Sequence, residues 1–171
     1  SMFACNGILF NHEGPRRGET FVTRKITRAV AEIYLNKRKT FFLGNLDAKR
    51  DWGYARDYVE SMWLMLQQKK PDDYVIATGK SCSVRQFVEK SFKIIGIDIG
   101  WRGKGINEIG YNKSTKNILI KIDKNYFRPN EVHDLRGNPR KANKILKWNP
   151  KTSLDQMIKE MVLHDIEKLE N

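Results

Sequence analysis

The sequence predicts a mixed α/β fold with some α+β character. Short apolar runs rich in β-branched residues alternate with longer segments whose apolar residues recur at helical spacing. Ser, Asp and Gln or Glu stand at capping-box spacing before several of those helical segments. Residues 97–124 are glycine-rich and then alternate apolar and polar residues, which favours a hairpin over a linker.

The first segments of the chain predict a strand, a loop and a helix. Residues 3–10 form an apolar run typical of a buried strand, and a chain that starts inside a strand is expected to be a piece of something larger. Gly14 and Pro15 mark a turn in the loop that follows. Residues 20–35 predict an amphipathic helix. Its apolar face is Val22, Ile26, Val30 and Ile33, with Arg24, Lys25 and Arg28 largely on another face.

The second predicted helix begins at Asp57, with Glu60 as its capping-box partner. Its apolar stripe, at helical spacing, consists of Val59, Met62, Trp63 and Leu66. Such a stripe is more typical of core packing than of a binding surface, so we expect these side chains to be buried. Residues 40–43 and 74–78 predict the strands on either side of this helix.

Three further helices are expected in the rest of the chain. Ser83 and Gln86 predict a capped helix that Gly96 ends. Pro139 is expected at the first position of a short helix. Ser153 and Gln156 cap the last helix. The apolar stripe of that helix is Leu154, Met157, Ile158, Met161 and Val162.

Composition bounds the class of protein without identifying it. The net charge is +12 and the isoelectric point about 9.7, which invites a polyanionic partner. Acidic residues are interleaved with the basic ones, however, as on an ordinary solvated surface. Cys5 and Cys82 give no disulfide framework, and the histidines lack ligand spacing, so no metal site is expected. With no bilayer-length apolar run and no leader-like start, we expect a cytoplasmic protein without membrane contact.

The usual motifs of nucleotide chemistry are absent from the sequence. It contains neither G-x-G-x-x-G nor GxxxxGK[ST], and no Tyr is followed four positions later by Lys. The usual reductase pair of Tyr and Lys is therefore missing from this sequence. What remains is a set of cations at loop–element junctions, namely Lys25, Arg50 and Arg128. Arginine presents a planar fork that matches phosphate oxygens, so a pyrophosphate would suit these residues.

Two other interpretations stay open from the residues alone. Arg50 could simply pair with Asp51 or Asp57. Alternatively, the basic charge together with Trp52, Tyr54 and Tyr58 could indicate a nucleic-acid-binding module, in which aromatic rings stack on bases.

A resemblance to a known family rests on four blocks of sequence. They read FACNGILFNHEGPRRGETFVTRKITRAVAEIYL, LGNLDAKRDWGYARDYVESMWLML, YVIATGKSCSVRQFVEKSF and YFRPNEVHDLRGNPRKANKILKWNP. With these blocks the chain closely resembles the C-terminal part of the GDP-mannose 4,6-dehydratase family, whose members are extended short-chain dehydrogenases/reductases. The RDW and RP patterns alone would indicate other nucleotide-sugar epimerases or dehydratases as well, including those that act on UDP- or dTDP-sugars. Residues 97–123 resemble the family little.

The resemblance implies a fold and an activity. Residues 1–171 would be the GDP-sugar-binding C-terminal portion, including a late strand and loop beside the cofactor, without the N-terminal Rossmann domain that binds NADP. The family converts GDP-mannose to GDP-4-keto-6-deoxymannose, a precursor of GDP-fucose and related deoxyhexoses. This chain would supply the grip on the GDP-sugar and be inactive alone. The whole protein is expected to form a homo-oligomer, either a dimer or a tetramer.

The resemblance also implies which residues bind the substrate. Asn11 would hydrogen-bond the diphosphate region and Lys25 would contact the nucleotide. Arg50 and Arg128 would clamp the pyrophosphate, and Glu131 would accept hydrogen bonds from ribose hydroxyls.

The loop NHEGPRRG is implied to lie at the cofactor end. His12 and Arg17 would touch NADP there, and the same loop would help to pair subunits. Gly14 stands where the family commonly has Ser, a change that leaves His12 and Arg17 in place.

Overall fold

The structure is a computed structural model that describes residues 2–126 and 131–170. The chain divides into two compact units. The first is drawn from residues 2–14, 49–82 and 134–157, and the second from residues 15–48, 83–126, 131–133 and 158–170.

The helices and strands follow in chain order. The helices are α1 (Val22–Tyr34), α2 (Ala55–Leu66), α3 (Val84–Ile94), α4 (Arg140–Ile145) and α5 (Leu154–Glu170). The strands are β1 (Gly7–Leu9), β2 (Asn11–Glu13), β3 (Phe41–Leu43), β4 (Lys49–Arg50), β5 (Trp52–Tyr54), β6 (Tyr74–Ile76), β7 (Cys82–Ser83), β8 (Ile99–Arg102), β9 (Ile109–Asn112), β10 (Ile118–Ile122) and β11 (Asp134–Leu135). A 3₁₀ turn spans Gly105–Asn107. None of the helices within these described residues is long and apolar enough to cross a membrane.

The first unit is built on short parallel strand pairs. Strand β1 pairs with β6, β2 with β5, and β4 with β11. Its core joins α2, β6 and the segment around α4 through buried apolar side chains. These are Tyr58, Met65, Tyr74, Ile76, Ala142, Leu146 and Trp148. Trp148 meets the Tyr58 ring edge-on, with 5.7 Å between ring centroids, and its Nε1 donates a hydrogen bond to the Asp57 carbonyl at 2.9 Å.

Helix α2 starts earlier than its sequence indicates, and Asp57 does not begin it. The helix begins at Ala55. The Asp57 carboxylate instead accepts hydrogen bonds from the backbone amides of Lys151 at 2.9 Å and Thr152 at 2.8 Å. Glu60 binds the Lys151 ammonium at 2.7 Å. Both acidic groups therefore bind the segment before α5 to α2. Asp57 and Glu60 have the spacing of a capping box, but they make tertiary contacts.

The prediction that the apolar stripe of α2 is buried is wrong. Val59 is 61% exposed and Trp63 62%, and Met62 and Leu66 are also exposed. The reason is that Tyr58, Ser61 and Met65 take the inward side of the helix. The unit therefore presents a continuous apolar helix face at its surface.

The second unit contains a four-stranded sheet in the order β3-β10-β9-β8. Strand β10 pairs in parallel with β3 and antiparallel with β9, and β9 pairs antiparallel with β8. The hairpin predicted for residues 97–124 is thereby confirmed. Helices α1 and α3 contribute apolar side chains to the core of this unit. Its fully buried members include Ile26, Val30, Phe41, Phe87, Val88, Phe92 and Ile120.

Two of the predicted capping boxes are confirmed. The Ser83 hydroxyl accepts from the Gln86 amide at 3.1 Å, and the Gln86 side chain accepts from the Ser83 amide at 3.0 Å. Ser153 and Gln156 make the same reciprocal pair, at 3.2 and 2.9 Å. Pro139 lies at the N-cap of α4, one position before the expected place.

Arg24 of α1 lies on the buried side of the helix, contrary to prediction. Its side chain is 3% exposed and pairs with Asp165, which is 2% exposed. Asp165 also accepts a hydrogen bond from the Thr27 hydroxyl at 2.7 Å. A charge is tolerated inside this unit because a carboxylate of opposite sign is buried with it.

Candidate functional site

Asn11 and His12 lie on β2, beside β5 in the first unit. Asn11 pairs with Trp52 and His12 with Gly53 in the parallel register. Both residues are half-buried. The Nδ1 atom of His12 lies 2.9 Å from the Phe10 carbonyl oxygen, within hydrogen-bonding distance. The side chains that the resemblance assigns to substrate and cofactor are thus carried by neighbouring positions of one strand.

Arg50 ends β4, two residues before the position that faces Asn11. It pairs with Leu135 in β11 and donates from Nη1 to the Lys49 carbonyl at 2.7 Å. The sequence suggested Asp51 and Asp57 as ion-pair partners of Arg50. Both carboxylates accept hydrogen bonds from other donors. Asp51 accepts hydrogen bonds from Thr78 and Gly79, and Asp57 accepts from the residues before α5.

Lys25 lies in the second unit, on the half-buried side of α1. Its Nζ atom is 3.5 Å from the centre of the Tyr126 ring, within cation–π range. Both side chains line a cavity of about 390 Å³. The remaining lining residues are Glu19, Thr20, Arg28, Ala29, Glu32 and Arg38. A cation beside an aromatic ring in a cavity suits an aromatic or anionic ligand group.

Tyr126 lines the same cavity, although sequence reasoning did not single it out within the block YFRPNEV. The chain leading to it is anchored on β3, because the Asp123 amide donates to the Leu43 carbonyl at 2.9 Å. Gly44 allows the close approach that follows: a Cβ atom there would lie 2.1 Å from the Tyr126 carbonyl oxygen. Gly44 and Tyr126 are therefore packed backbone to backbone.

Arg17, assigned to the cofactor end, is half-buried in the second unit. Its guanidinium carbon lies 3.5 Å from the centre of the Phe21 ring, so the planar group is stacked. Glu131 is half-buried as well. Arg128 lies outside the described residues.

The aromatic residues invoked for nucleic-acid binding are inside the first unit. Trp52 is 4% exposed, Tyr54 9% and Tyr58 0%. Rings this deeply buried do not stack on bases, so that part of the alternative interpretation is wrong. Among residues 2–126 and 131–170, His, Cys, Asp and Glu side chains form no group of three or more that could hold a metal ion.

Comparison with solved structures defines the class of fold. The chain superposes on the RMD protein of Pseudomonas aeruginosa, solved with NADPH, with a TM-score of 0.78 at 18% identity. The superposition covers 95% of this chain and 48% of the RMD chain. A UDP-glucose 4-epimerase of Thermotoga maritima, solved with UDP-glucose, gives a TM-score of 0.69 at 22% identity and covers 95% and 46% of the two chains. The fold is that of about half of an extended short-chain dehydrogenase/reductase.

Within that class, the chain belongs to the GDP-mannose 4,6-dehydratase family. A family model described as GDP-mannose 4,6 dehydratase matches residues 1–161. A GDP-mannose 4,6 dehydratase of Dictyostelium discoideum is 62% identical over 170 residues, which are 99% of this chain and 48% of that protein. The chain therefore spans about half the length of the curated relatives that it matches. The match to the family model also runs through residues 97–123, where the sequence blocks indicated little resemblance.

Proposed function

We propose that this chain is the GDP-sugar-binding portion of a longer, NADP-dependent GDP-mannose 4,6-dehydratase. The observation that carries the proposal is the match to that family over residues 1–161. The longer protein would convert GDP-mannose to GDP-4-keto-6-deoxymannose, a step toward GDP-fucose and other GDP-deoxyhexoses. Its class would be a hydro-lyase of the cytoplasm, assembled as a homo-oligomer.

The chemistry of Arg50, Asn11 and Lys25 supports contacts with a nucleoside diphosphate. Arg50 is the last residue of β4, whose backbone is paired with β11. The guanidinium therefore extends from an ordered strand. Asn11 would donate its amide to the diphosphate region, and Lys25 would contact the nucleotide from the cavity that it lines with Tyr126. Charge-assisted hydrogen bonds to phosphate are about twice as strong as neutral ones, so these contacts would dominate the affinity.

Glu131 and Arg128 complete the proposed substrate set. Glu131 would accept hydrogen bonds from ribose hydroxyls, for which a carboxylate has two acceptor oxygens. Arg128 would be the second arginine on the pyrophosphate.

NADP would be bound mainly by the N-terminal domain of the longer protein. His12 and Arg17 fit the edge of such a site chemically. With its Nδ1–H facing the Phe10 carbonyl oxygen, the His12 imidazole has Nε2 left to accept a hydrogen bond from a hydroxyl group. The Arg17 guanidinium carries positive charge toward phosphate. The chemistry supplied by NADP, when it is bound, is removal of a hydride from C4 of the hexose and its return at C6, around the loss of water across C5 and C6.

The residues of this chain would bind and orient the substrate without exchanging protons with the hexose. The sequence contains no Tyr followed four positions later by Lys and no G-x-G-x-x-G motif. The groups that perform the chemistry would therefore lie in the other half of the protein. By binding the diphosphate, this chain would hold the hexose in position for the reaction. Binding groups remote from the reacting atoms lower the activation barrier in this way.

The test is turnover by the longer protein and by this chain. The longer protein with NADP⁺ should convert GDP-mannose to a product lighter by one water, detected by mass spectrometry, and leave UDP-glucose and dTDP-glucose unchanged. The isolated chain should give no product. Turnover by the isolated chain would place chemical groups here and overturn the division of roles. Loss of water from a UDP- or dTDP-sugar, with GDP-mannose untouched, would overturn the substrate assignment.

A further inference from the structure

Asp51 lies between two strands. Strand β4 before it carries Arg50, and Trp52 of β5 after it faces Asn11 in the β2–β5 register. Asp51 is fully buried, at 0% exposure. Its own amide donates to the Leu135 carbonyl at 2.9 Å.

The carboxylate of Asp51 binds two further segments of the first unit. Oδ1 accepts from the amide of Thr78 at 2.9 Å and from its hydroxyl at 2.6 Å. Oδ2 accepts from the amides of Gly79 at 2.9 Å and Gly137 at 3.2 Å. Three stretches of chain, 51, 78–79 and 137, therefore meet at one side chain. A buried carboxylate held by N–H and O–H donors is stable only while those donors stay in place.

The segments that meet at Asp51 have little freedom to shift. A Cβ atom at Gly137 would lie 2.2 Å from the Ala77 Cβ, so the backbone there is in close contact with the end of β6. Gly79 has a φ of +75°, a left-handed conformation that favours glycine. Movement of Asp51 would have to displace these packed turns, and the backbone of Arg50 moves with it.

We propose that Asp51 is a positioning residue for the diphosphate grip: its buried carboxylate fixes the backbone that carries Arg50 and the strand register opposite Asn11. This inference rests on the proposed function, because it assigns Arg50 and Asn11 to the substrate. Asp51 acts through them and makes no contact with the substrate itself. Small displacements of a binding group are costly, since hydrogen bonds to phosphate weaken steeply with distance and angle.

The decisive variant is Asp51→Asn in the longer protein. Asparagine keeps the shape of the side chain but turns one acceptor oxygen into an NH₂ donor, which then opposes backbone N–H donors. We expect the KM for GDP-mannose and the dissociation constant of GDP to rise by about tenfold or more, with kcat changed by less than about threefold. That split is the signature of lost substrate positioning.

Asp57→Asn is the matched control, because Asp57 is also a buried carboxylate of the first unit. It is 6% exposed and accepts from the amides of Lys151 and Thr152. Both variants should lower the melting temperature, since each opposes donor to donor. Only Asp51→Asn should raise the KM and the dissociation constant of GDP.

Milder variants keep the test decisive if Asp51→Asn does not fold. Thr78→Val removes the hydroxyl that donates to Asp51 at 2.6 Å and keeps the backbone amide, whereas Thr78→Ser retains the hydroxyl. We expect Thr78→Val to raise the KM severalfold and Thr78→Ser to restore it. An unchanged KM in Thr78→Val and in any folded Asp51→Asn protein, or an equal rise in Asp57→Asn, would overturn the positioning role. If the wild-type longer protein neither binds GDP nor turns over GDP-mannose, the proposed function fails, and this inference fails with it.

Discussion

The ammonium group of Lys25 lies 3.5 Å from the centre of the Tyr126 ring. The two residues are more than a hundred positions apart in the sequence, and the backbone of Tyr126 packs against Gly44. A cation over an aromatic face is attracted by the ring quadrupole, and both side chains line the same cavity. The Lys25 ammonium therefore lies beside an aromatic ring in that cavity.

Replacement of Lys25 by Met should weaken nucleotide binding in the longer protein. Methionine keeps most of the side-chain volume and removes the charge, so the contact with an anionic nucleotide is lost. We expect the dissociation constant of GDP to rise by about tenfold, which corresponds to about 1.4 kcal/mol. Isothermal titration calorimetry measures the change. Lys39→Met, at an exposed lysine of the same unit, should leave the affinity unchanged. An equal loss of GDP affinity in both variants would show that Lys25 acts only through the net charge of the protein.

Arg50→Ala should weaken substrate binding more strongly. A charge-assisted contact to phosphate contributes about 1.5–3 kcal/mol, so the affinity of the longer protein for GDP-mannose should fall by at least about tenfold. The control is Lys49→Ala, which removes a neighbouring exposed cation on the same strand. Equilibrium binding measured at two salt concentrations separates a specific contact from general charge. Unchanged affinity for GDP-mannose in Arg50→Ala would show that Arg50 does not bind the substrate.

Tyr58 should make the wild-type protein lose stability at alkaline pH. Burial raises the pKa of the Tyr58 phenol, helped by the nearby carboxylates of Asp51, Asp57 and Glu13. The folded state therefore favours the protonated phenol, and that contribution is complete below the unfolded pKa of about 10. It is lost as the pH rises from there toward the folded pKa. Between about pH 9 and pH 11 the loss amounts to about 1.4 kcal/mol of the free energy of unfolding.

Tyr58→Phe should remove this alkaline loss. Among the described residues the buried Tyr58 hydroxyl has no hydrogen-bond partner, so its removal should not destabilise the protein at neutral pH. Urea denaturation at both pH values gives the comparison. Identical pH dependence in the wild type and in Tyr58→Phe would show that the phenol is hydrated or ionises freely in the folded state.

The buried pair of Arg24 and Asp165 should be strongly coupled. Asp165→Asn leaves the acceptor for Thr27 but removes the negative charge, so the Arg24 guanidinium becomes an uncompensated buried charge. The expected cost is about 3–5 kcal/mol in the free energy of unfolding. The double variant Arg24→Met with Asp165→Leu should recover most of that loss, because two apolar side chains need no charge partner.

The comparison for this pair is Asp98→Asn, which breaks an exposed ion pair with Lys93 in the same unit. Solvent screens exposed charges, so this change should have little effect on urea denaturation. A similar loss in Asp98→Asn and Asp165→Asn would show that burial does not determine the strength of the Arg24 pair.

The exposed face of α2 should cause the isolated chain to self-associate. Val59 and Trp63 are each more than 60% exposed and lie four residues apart on one side of the helix. Contiguous apolar surface of this kind drives association in water. Sedimentation velocity should show concentration-dependent oligomers for the wild-type chain and a monomer for the double variant Val59→Lys with Trp63→Glu. Circular dichroism should be unchanged, because neither side chain supports the core.

Ile106→Lys is the control for that association. Ile106 is 55% exposed in the second unit, away from α2 in the sequence and outside its apolar face. This variant should associate as the wild type does. Loss of association in Ile106→Lys, with Val59→Lys/Trp63→Glu still oligomeric, would move the contact away from α2.

Local features of the fold could be predicted from the sequence because they depend on residues a few positions apart. The capping boxes at Ser83 and Ser153 and the strand over residues 118–122 are of this kind, and the structure confirms them. The resemblance to the dehydratase family likewise rests on contiguous blocks, and the family match confirms it. The substrate and cofactor roles assigned to individual residues stay predictions.

Which side of an element is buried was decided only by the tertiary structure. The stripe on α2 and the basic face of α1 follow good helical periodicity, yet Trp63 is exposed and Arg24 is buried. Periodicity identifies the faces of a helix, whereas the neighbours of the helix determine which face is covered. Asp51 shows the same dependence, since its carboxylate binds amides 27, 28 and 86 positions away in the chain. The sequence by itself determined that Arg50 and Asp51 are charged and adjacent. Only the fold separated them, one half-buried at the end of a strand and the other enclosed by hydrogen-bond donors that chain folding brings together.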